Sequence, residues 1–502
     1  MSSNNSFYLE DTQNAPRPPA PAPAQQRDNH AAGESLDNCS GGLSPQRSIS
    51  QRTVRNMTVH GIRHSFLTLT GTALGGALLA CSYVMAEAGI GLGTLMMVTA
   101  GMVSYFSSVA LMRITTATGE TTYAGLFSYC AGARAGPILS AVMFIYGSGT
   151  CVIKFCFLGD VLPQLIKLAA PYAPAWCMSR AFTIMAAFTV VMPMALQKQL
   201  SAIRHITPIS VIALVYVALA IAARCWYYHA EHALASDHAE YGHIKVVNFS
   251  IRSFNAFAIC VHAVNCHINV VPVADRLVRP TKTRMQKVAW RVNAFQVIFY
   301  IILGWAGYWS FLAKTPGNIL EAFEVDDPYM AVGRLLLSFT MIIAVALNMH
   351  PSVRCGLQVR DYFFPSNPVL EPSRSGILEA PPSPKSPASR QSASYSPPST
   401  SIGGASLPMG EEPALPRICL TILCLVTQAG IAIKVPKMAA IIGLLGGTVS
   451  TILMMVVPAY IIGKALPYSF KNRCQQAMLL AFACFTICAV PVSMLQMMGL
   501  ID

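Results

Sequence analysis

Eleven apolar runs follow one another along this chain, each close to the length of a helix that crosses a bilayer. They lie at about 66–86, 92–112, 138–158, 181–196, 206–223, 253–277, 294–312, 335–349, 418–433, 439–462 and 478–498. The runs at 181–196, 335–349 and 418–433 are the shortest. In hydrocarbon every backbone N–H and C=O must be satisfied without water, and a helix does so within one segment. The chain is therefore expected to be an all-α polytopic membrane protein with about eleven transmembrane helices. Charged residues make up 11% of it, and mean hydropathy is +0.49. Soluble domains carry about 25% charged residues. The formal net charge of +13 sits in short stretches between the apolar runs. That distribution fits cytoplasmic loop charge and excludes nucleic acid as a partner, which needs one basic patch interleaved with aromatics.

Four parts follow from the spacing. Residues 1–60 are polar and rich in Pro, Ala, Ser and Gln, without the apolar core of a signal peptide. They are expected to form a disordered cytoplasmic tail. Residues 61–365 hold the first eight spans. Residues 366–413, with PPSPKSPASR and SPPST, read as a disordered cytoplasmic linker. Residues 414–502 hold the last three spans. Arg52, Arg55 and Arg63 precede the first span. Arg276, Arg279, Lys282, Arg284, Lys287 and Arg291 are expected in the loop after the sixth, and Lys464, Lys471 and Arg473 in the loop after the tenth. All fall on one side, which becomes cytoplasmic, with the N-terminus inside and the C-terminus outside. The opposite side has the acidic loop of Glu321, Glu324, Asp326 and Asp327.

The 15 cysteines are scattered without a CxxC pair. Cys177 and Cys225 fall in expected outer loops and are a candidate disulfide. Asn248-Phe249-Ser250 is a glycosylation sequon in an outer loop; Asn38-Cys39-Ser40 and Asn56-Met57-Thr58 lie on the cytoplasmic side. His229, His232, His238 and His243 share that outer loop, but their spacing matches no ligand pattern and reads as a solvated loop. No metal or other cofactor is called for.

The sixth run, SFNAFAICVHAVNCHINVVPVADRL, carries His262, Asn265, Cys266, His267 and Asn269 in its middle, then Pro272 and Asp275. Polar groups at membrane depth are costly unless they face protein or a water-filled cavity. The run therefore reads as a cavity wall rather than a lipid-facing anchor. The first run has glycines at 71, 75 and 76. They suit close helix packing or an unwound segment at Gly75-Gly76 whose free amides bind a carboxylate. An inverted repeat of five spans pairs the first run with the sixth, and two interrupted segments at matching positions point to a transport site. Asn265 can donate to or accept from a substrate, and His262 or His267 can titrate near neutral pH and couple protons. Lys154, inside the third run, either snorkels outward or, if buried, occupies a cation site or pairs with a substrate carboxylate. Glu87 stands at the end of the first run. His350-Pro351 is expected to break the eighth.

These residues resemble the eukaryotic amino acid/auxin permease family. The sixth run is similar to that family's FxFxCHxNxxPIYxEL at Phe257, Cys266, His267, Asn269, Pro272, Asp275 and Leu277. The first is similar to G-x-G-x-L-x-x-P/S-Y-A-F/M at Gly75-Gly76-Ala77, Leu79 and residues 82–86, with Gly89 following. Thr122-Tyr123, Gly159-Asp160, Leu162-Pro163 and the HPSVR of the eighth run also fit. The resemblance implies a LeuT-like five-plus-five inverted repeat and amino acid transport, with substrate held on the unwound first helix and the middle of the sixth. It departs at Ala77, the motif's second glycine. Gly71 stands where sodium-coupled relatives tend to carry Asn, and Ala344 where they carry Thr. Both departures favour protons, or no ion, over sodium. Lys154 stands where relatives often have Tyr, and a buried Lys154 would replace a bound cation or disfavour cationic substrates.

The expected function is secondary active transport of amino acids by alternating access, proton-coupled, in the plasma membrane or an internal acidic compartment. A transporter-like sensor with little flux is the alternative. An intramembrane hydrolase is disfavoured, because the carboxylates lie at helix ends and no paired motif supports one. The residues expected to contact substrate are Thr72, Gly75, Gly76, Ala77, Lys154, Phe257, Ala258, Cys260, Val261 and Asn265. His262, His267 and Lys154 are the coupling candidates. The partners are the amino acid, a proton and membrane lipid.

Overall fold

The computed structural model describes residues 61–73, 75–197, 207–234, 242–364, 414–435 and 437–500. The expected tail, the 366–413 linker, the two cytoplasmic sequons and the side chains of Thr72, His232 and His238 lie outside the described residues.

Among the described residues the fold is all helical. Nine helices are long and apolar enough to cross a membrane. A bent pair makes a tenth candidate span, and Arg180–Leu196 is a shorter apolar helix of 17 residues at the place of the expected fourth span. The first span joins α1 (Ile62–Ala73) to α2 (Cys81–Ala88) through a 3-10 turn at Gly76–Ala80, with a bend of 63°. Then come α3 (Ile90–Thr118), the short α4 (Tyr123–Ala131), α5 (Ala135–Ala169), α6 (Arg180–Leu196) and α7 (Thr207–Leu234). The sixth span is α8 (Arg252–Ala263) and α9 (His267–Arg276), separated by three non-helical residues. The remainder is α10 (Lys282–Phe311), α11 (Pro328–Phe363), α12 (Ala414–Lys434), α13 (Met438–Leu445) with α14 (Val457–Ala465), and α15 (Phe470–Ile487) with α16 (Ala489–Met497). Both interrupted spans are therefore five apart in order, as a LeuT-like five-plus-five repeat requires.

Side-chain caps set several helix starts. The Thr122, Ser179 and Thr281 hydroxyls accept from the N–H groups of Gly125, Phe182 and Arg284, and Asp327 Oδ1 accepts from those of Tyr329 and Met330. The helices overrun their apolar runs. Lys282, Arg284, Lys287 and Arg291 lie on the first turns of α10 rather than in a loop, and Lys464, Lys471 and Arg473 are helical too. Helical hydrogen bonding continues into water, whereas the apolar pattern stops at the hydrocarbon edge. Nor does Pro351 end the eighth span: α11 runs through it for 36 residues. Proline removes a single N–H, and a packed membrane bundle tolerates that where neighbours re-satisfy the backbone. Cys225 and His229 belong to α7, not to a loop; Cys177 and Cys225 are both free thiols, and His229 Nδ1 lies 2.9 Å from the Trp309 carbonyl.

The broken spans lie at the centre. The third span α5 runs along α11, while α8 packs on α2 and α13. Between α13 and α14 the tenth span widens into π-helical turns at Gly446–Ser450 and Ile452–Val456. A Cβ on Gly446 would lie 2.0 Å from the Ala258 carbonyl oxygen, so α8 rests directly on this glycine. At the end of the bundle near Gly89, residues 245–248 strap the α2–α3 turn. Ile90 and Gly91 donate to Lys245 and Val246 carbonyls at 3.0 and 2.8 Å, and Asn248 N–H donates to Ala88 at 2.8 Å. Gly89 has φ +84°, and a Cβ there would meet the Val246 backbone at 2.8 Å; both facts demand glycine. The sequon Asn248 spends its amide on the Glu87 carbonyl, 2.9 Å away.

Candidate functional site: two helix breaks around Lys154

A break in a buried helix strands carbonyls that need donors. At the sixth-span break three other helices supply them. Tyr300 (α10) donates to the Ala263 carbonyl at 3.1 Å, Ser104 (α3) to Val264 at 3.3 Å and Tyr146 (α5) to Asn265 at 3.5 Å. Asn265 Oδ1 accepts the His267 N–H at 3.1 Å, which starts α9, and lies 3.1 Å from His267 Nδ1. The other ring nitrogen of His267 is 3.5 Å from Ser108 Oγ. His267 is thus held on both sides. Asn265 Nδ2 has no hydrogen-bond partner although the residue is only 4% exposed.

Lys154 is buried, 6% exposed, on α5. Its ammonium donates to the Thr150 carbonyl at 3.2 Å, and Thr150 Oγ1 accepts from Asn348 at 3.4 Å. His262 is close enough to interact with that charge; its Nδ1 is 2.9 Å from Ser450 Oγ and its ring centroid 5.5 Å from that of Tyr146. None of these neighbours is a carboxylate. The residue next to Lys154, Ile153, packs on Gly76, where a Cβ would be 3.1 Å from its Cγ2. The helix α5 thus touches the first-span turn through Ile153 and the sixth-span break through Tyr146, with Lys154 near His262. Gly75 caps that turn in extended geometry, and Gly76 and Ala77 are buried within it.

The other expected contacts point elsewhere. Phe257 packs against Phe482 and Phe485 of α15, at 6.1 and 5.2 Å between centroids. Ala258 lies against Gly446, Cys260 near Cys81, and Val261 in the core. Sequence reasoning missed Tyr146, Tyr300, Ser104 and Ser450; hydroxyls at mid-span inside apolar runs were the available signal.

Towards the Gly89 end lies a cavity of about 270 Å³ whose lining includes Tyr83, Asp160, Asn318, Glu321, Lys437 and Gln496. Asp160, within α5 and nine residues before its end, pairs with Arg180, which also donates to the Ala432 carbonyl at 3.1 Å. From its edge a buried chain runs inward: Gln496 donates to Tyr83 OH at 3.1 Å, Asn255 to Gln496 at 2.6 Å and Ser493 to Asn255 at 2.9 Å. A hollow of about 360 Å³ between α1 and α10, lined by Arg63, Phe66, Trp290 and Arg291 among others, contains none of these groups.

A family model described as "Transmembrane amino acid transporter protein" matches residues 58–499. The Toxoplasma gondii protein AAT1, named as an amino acid transporter, is 32% identical over 292 residues, which are 58% of this chain and 40% of that protein. Vacuolar amino acid transporter 6 of Saccharomyces cerevisiae is 22% identical over 80% of this chain and 89% of its own length. Sodium-coupled neutral amino acid transporter 7 of Xenopus laevis is 24% identical over 53% of this chain and 59% of its own. Among solved structures, MhsT in complex with L-phenylalanine covers 86% of this chain and 98% of its own, at 12% identity and a TM-score of 0.48.

Proposed function

Since the chain belongs to the transmembrane amino acid transporter family, the amino acid/auxin permeases, we propose that it moves amino acids across a membrane by alternating access at its two helix breaks. It is not an enzyme. The observation that carries the reading is the buried Lys154 ammonium, near His262 of the sixth span, with a backbone carbonyl and no carboxylate at hand. An ion buried without its counter-charge is costly, and a substrate carboxylate would supply that charge. Asn265 Nδ2, buried and unpartnered, adds a second donor. The C-terminal end of α8, where carbonyls point onward, favours the substrate ammonium. A fixed positive charge in the site disfavours cationic substrates and favours neutral ones. It also stands in for a bound metal cation, which, with Gly71 and Ala344, supports proton over sodium coupling. His262, held through one ring nitrogen, is a better coupling candidate than His267, held through both. The basic end of the bundle faces the cytoplasm. The membrane is the plasma membrane in this reading, with an acidic internal compartment as the second, favoured by the vacuolar relative.

Uptake of a panel of radiolabelled amino acids into proteoliposomes, under imposed pH or sodium gradients, tests this. Neutral amino acids should accumulate on an inward proton gradient, and Lys154→Met should raise KM for them. Binding with negligible flux would replace the transporter by a sensor; accumulation driven by sodium alone would sink proton coupling.

A further inference from the structure

The cavity at the Gly89 end contains chemistry that the central site does not use. Glu321, on the α10–α11 connection, lines this cavity together with Asp160 of α5, and the two carboxyl groups are close enough to interact. Two carboxyl groups in contact cannot both ionise, so the pair holds a proton between them. The Arg180 guanidinium pairs with Asp160, which leaves the proton on Glu321, donated towards Asp160. Partial burial of its carboxyl in the cavity, although the residue as a whole is exposed, and the neighbouring Asp160 carboxylate hold Glu321 above its ordinary range, and Arg180 opposes this more weakly.

The pair has few other partners. Apart from each other and Glu321, Asp160 Oδ2 and Asn318 Nδ2 have no hydrogen-bond partner, although the Asp160 side chain is 5% exposed and Asn318 1%. Both residues line the cavity, where Glu321 is open to solvent. A carboxyl pair with solvent on one side and an acceptor with few other partners on the other is built to exchange a proton. The other charged and titratable groups facing it are Arg180 from α6, Lys437 from the α12–α13 turn, Tyr83 from α2 and Cys156 from its own helix. Glu87 and Arg252 form their own pair, 3.6 Å apart, next to Tyr83. The chain Tyr83–Gln496–Asn255 joins the cavity edge to α2, α16 and α8, two of which are halves of the broken spans.

We propose that Asp160 and Glu321 form a proton-binding site at the outer mouth of the transporter, and that its occupancy sets whether the mouth closes over substrate. The inference rests on the proton-coupled transport reading above. With the proton bound, Glu321 bridges α5 and the α10–α11 connection across the cavity. Without it, two adjacent carboxylates repel and the bridge opens. Glu321→Gln keeps a donor and cannot release it, so it fixes the bridged state.

The test uses the full chain in proteoliposomes, with amino acid uptake followed as external pH rises. Wild-type uptake should fall with rising pH, and E321Q should lose that dependence. Asp160→Asn removes the Arg180 partner and can fail to fold, so E321Q carries the decision. A second readout needs no transport: pH-difference infrared spectroscopy of the purified protein should show a carboxylic C=O band that E321Q removes. E321Q with the wild-type pH profile, or with the band intact, would overturn the inference. So would sodium moving the wild-type profile at constant pH, because the pair would then be a cation site. Wild-type protein with no uptake at any pH would overturn the transport reading, and the infrared band would still decide the pair.

Discussion

Arg334 is the residue on which the connection between α10 and α11 hangs, and replacing it by Met gives a quantitative test. The side chain is 1% exposed on α11. Its Nη1 donates to the Glu324 and Val325 carbonyls at 3.0 and 3.4 Å, and its Nη2 to Leu320 and Phe323 at 3.0 and 2.7 Å. One guanidinium fork therefore gathers four carbonyls from the segment that carries Glu321. Met fills much of the volume and supplies no donor. The Leu320 and Phe323 acceptors are buried, and stranding a buried acceptor costs about 1–3 kcal/mol each. Together they cost ~2–6 kcal/mol, offset in part because a guanidinium no longer has to be desolvated; about 3 kcal/mol is the working figure. Specific unfolding entropies turn that into a shift of about 3 °C for a body of this size. Arg334→Lys keeps the charge without the fork and should fall between wild type and Met. Scanning fluorimetry on the purified protein reads the midpoint, and uptake against external pH reads Glu321. R334M with both a wild-type midpoint and a wild-type pH profile would refute the claim that this fork positions the segment.

Two further substitutions probe the centre. Tyr300→Phe removes the donor from the Ala263 carbonyl and should weaken amino acid binding by about 1–3 kcal/mol; equilibrium binding at wild-type affinity would show that the break needs no such tie. Gly446→Ala drives a methyl into the Ala258 carbonyl, an overpacking worth about 1–3 kcal/mol. Its midpoint should drop and its uptake slow, and a neutral result on both measurements would mean that α8 and the tenth span separate readily.

Most spans were legible because most apolar runs are long enough to have one physical interpretation; the short run at 181–196 is the exception. Their ends were not. Thr281 starts α10 well before the first apolar residue of that run, and α11 carries on through Pro351, since helical hydrogen bonds do not stop where hydrocarbon does. The breaks were legible too, from Gly75-Gly76 and from the polar residues between His262 and Asn269. What secures the sixth-span break was hidden. Tyr146 and Tyr300 are ordinary members of apolar runs until folding sets their hydroxyls on stranded carbonyls. Asp160 was visible as part of a motif, while its partners Arg180 and Glu321 come from other segments and no local pattern announces them. Among the expected substrate contacts, Phe257 packs its ring against α15, a contact its place in the motif does not announce.

The strap of residues 245–248 over the α2–α3 turn also has a mechanical meaning. It leads into α8, so its hydrogen bonds to Ala88, Ile90 and Gly91 join the end of one interrupted span to the beginning of the other. The Glu87–Arg252 pair adds a rivet beside it. Two half-helices fastened at their tips cannot swing separately. If the protein works by alternating access as proposed, they should move as a single lever, and the mouth should open as one stroke rather than as two leaves moving in turn.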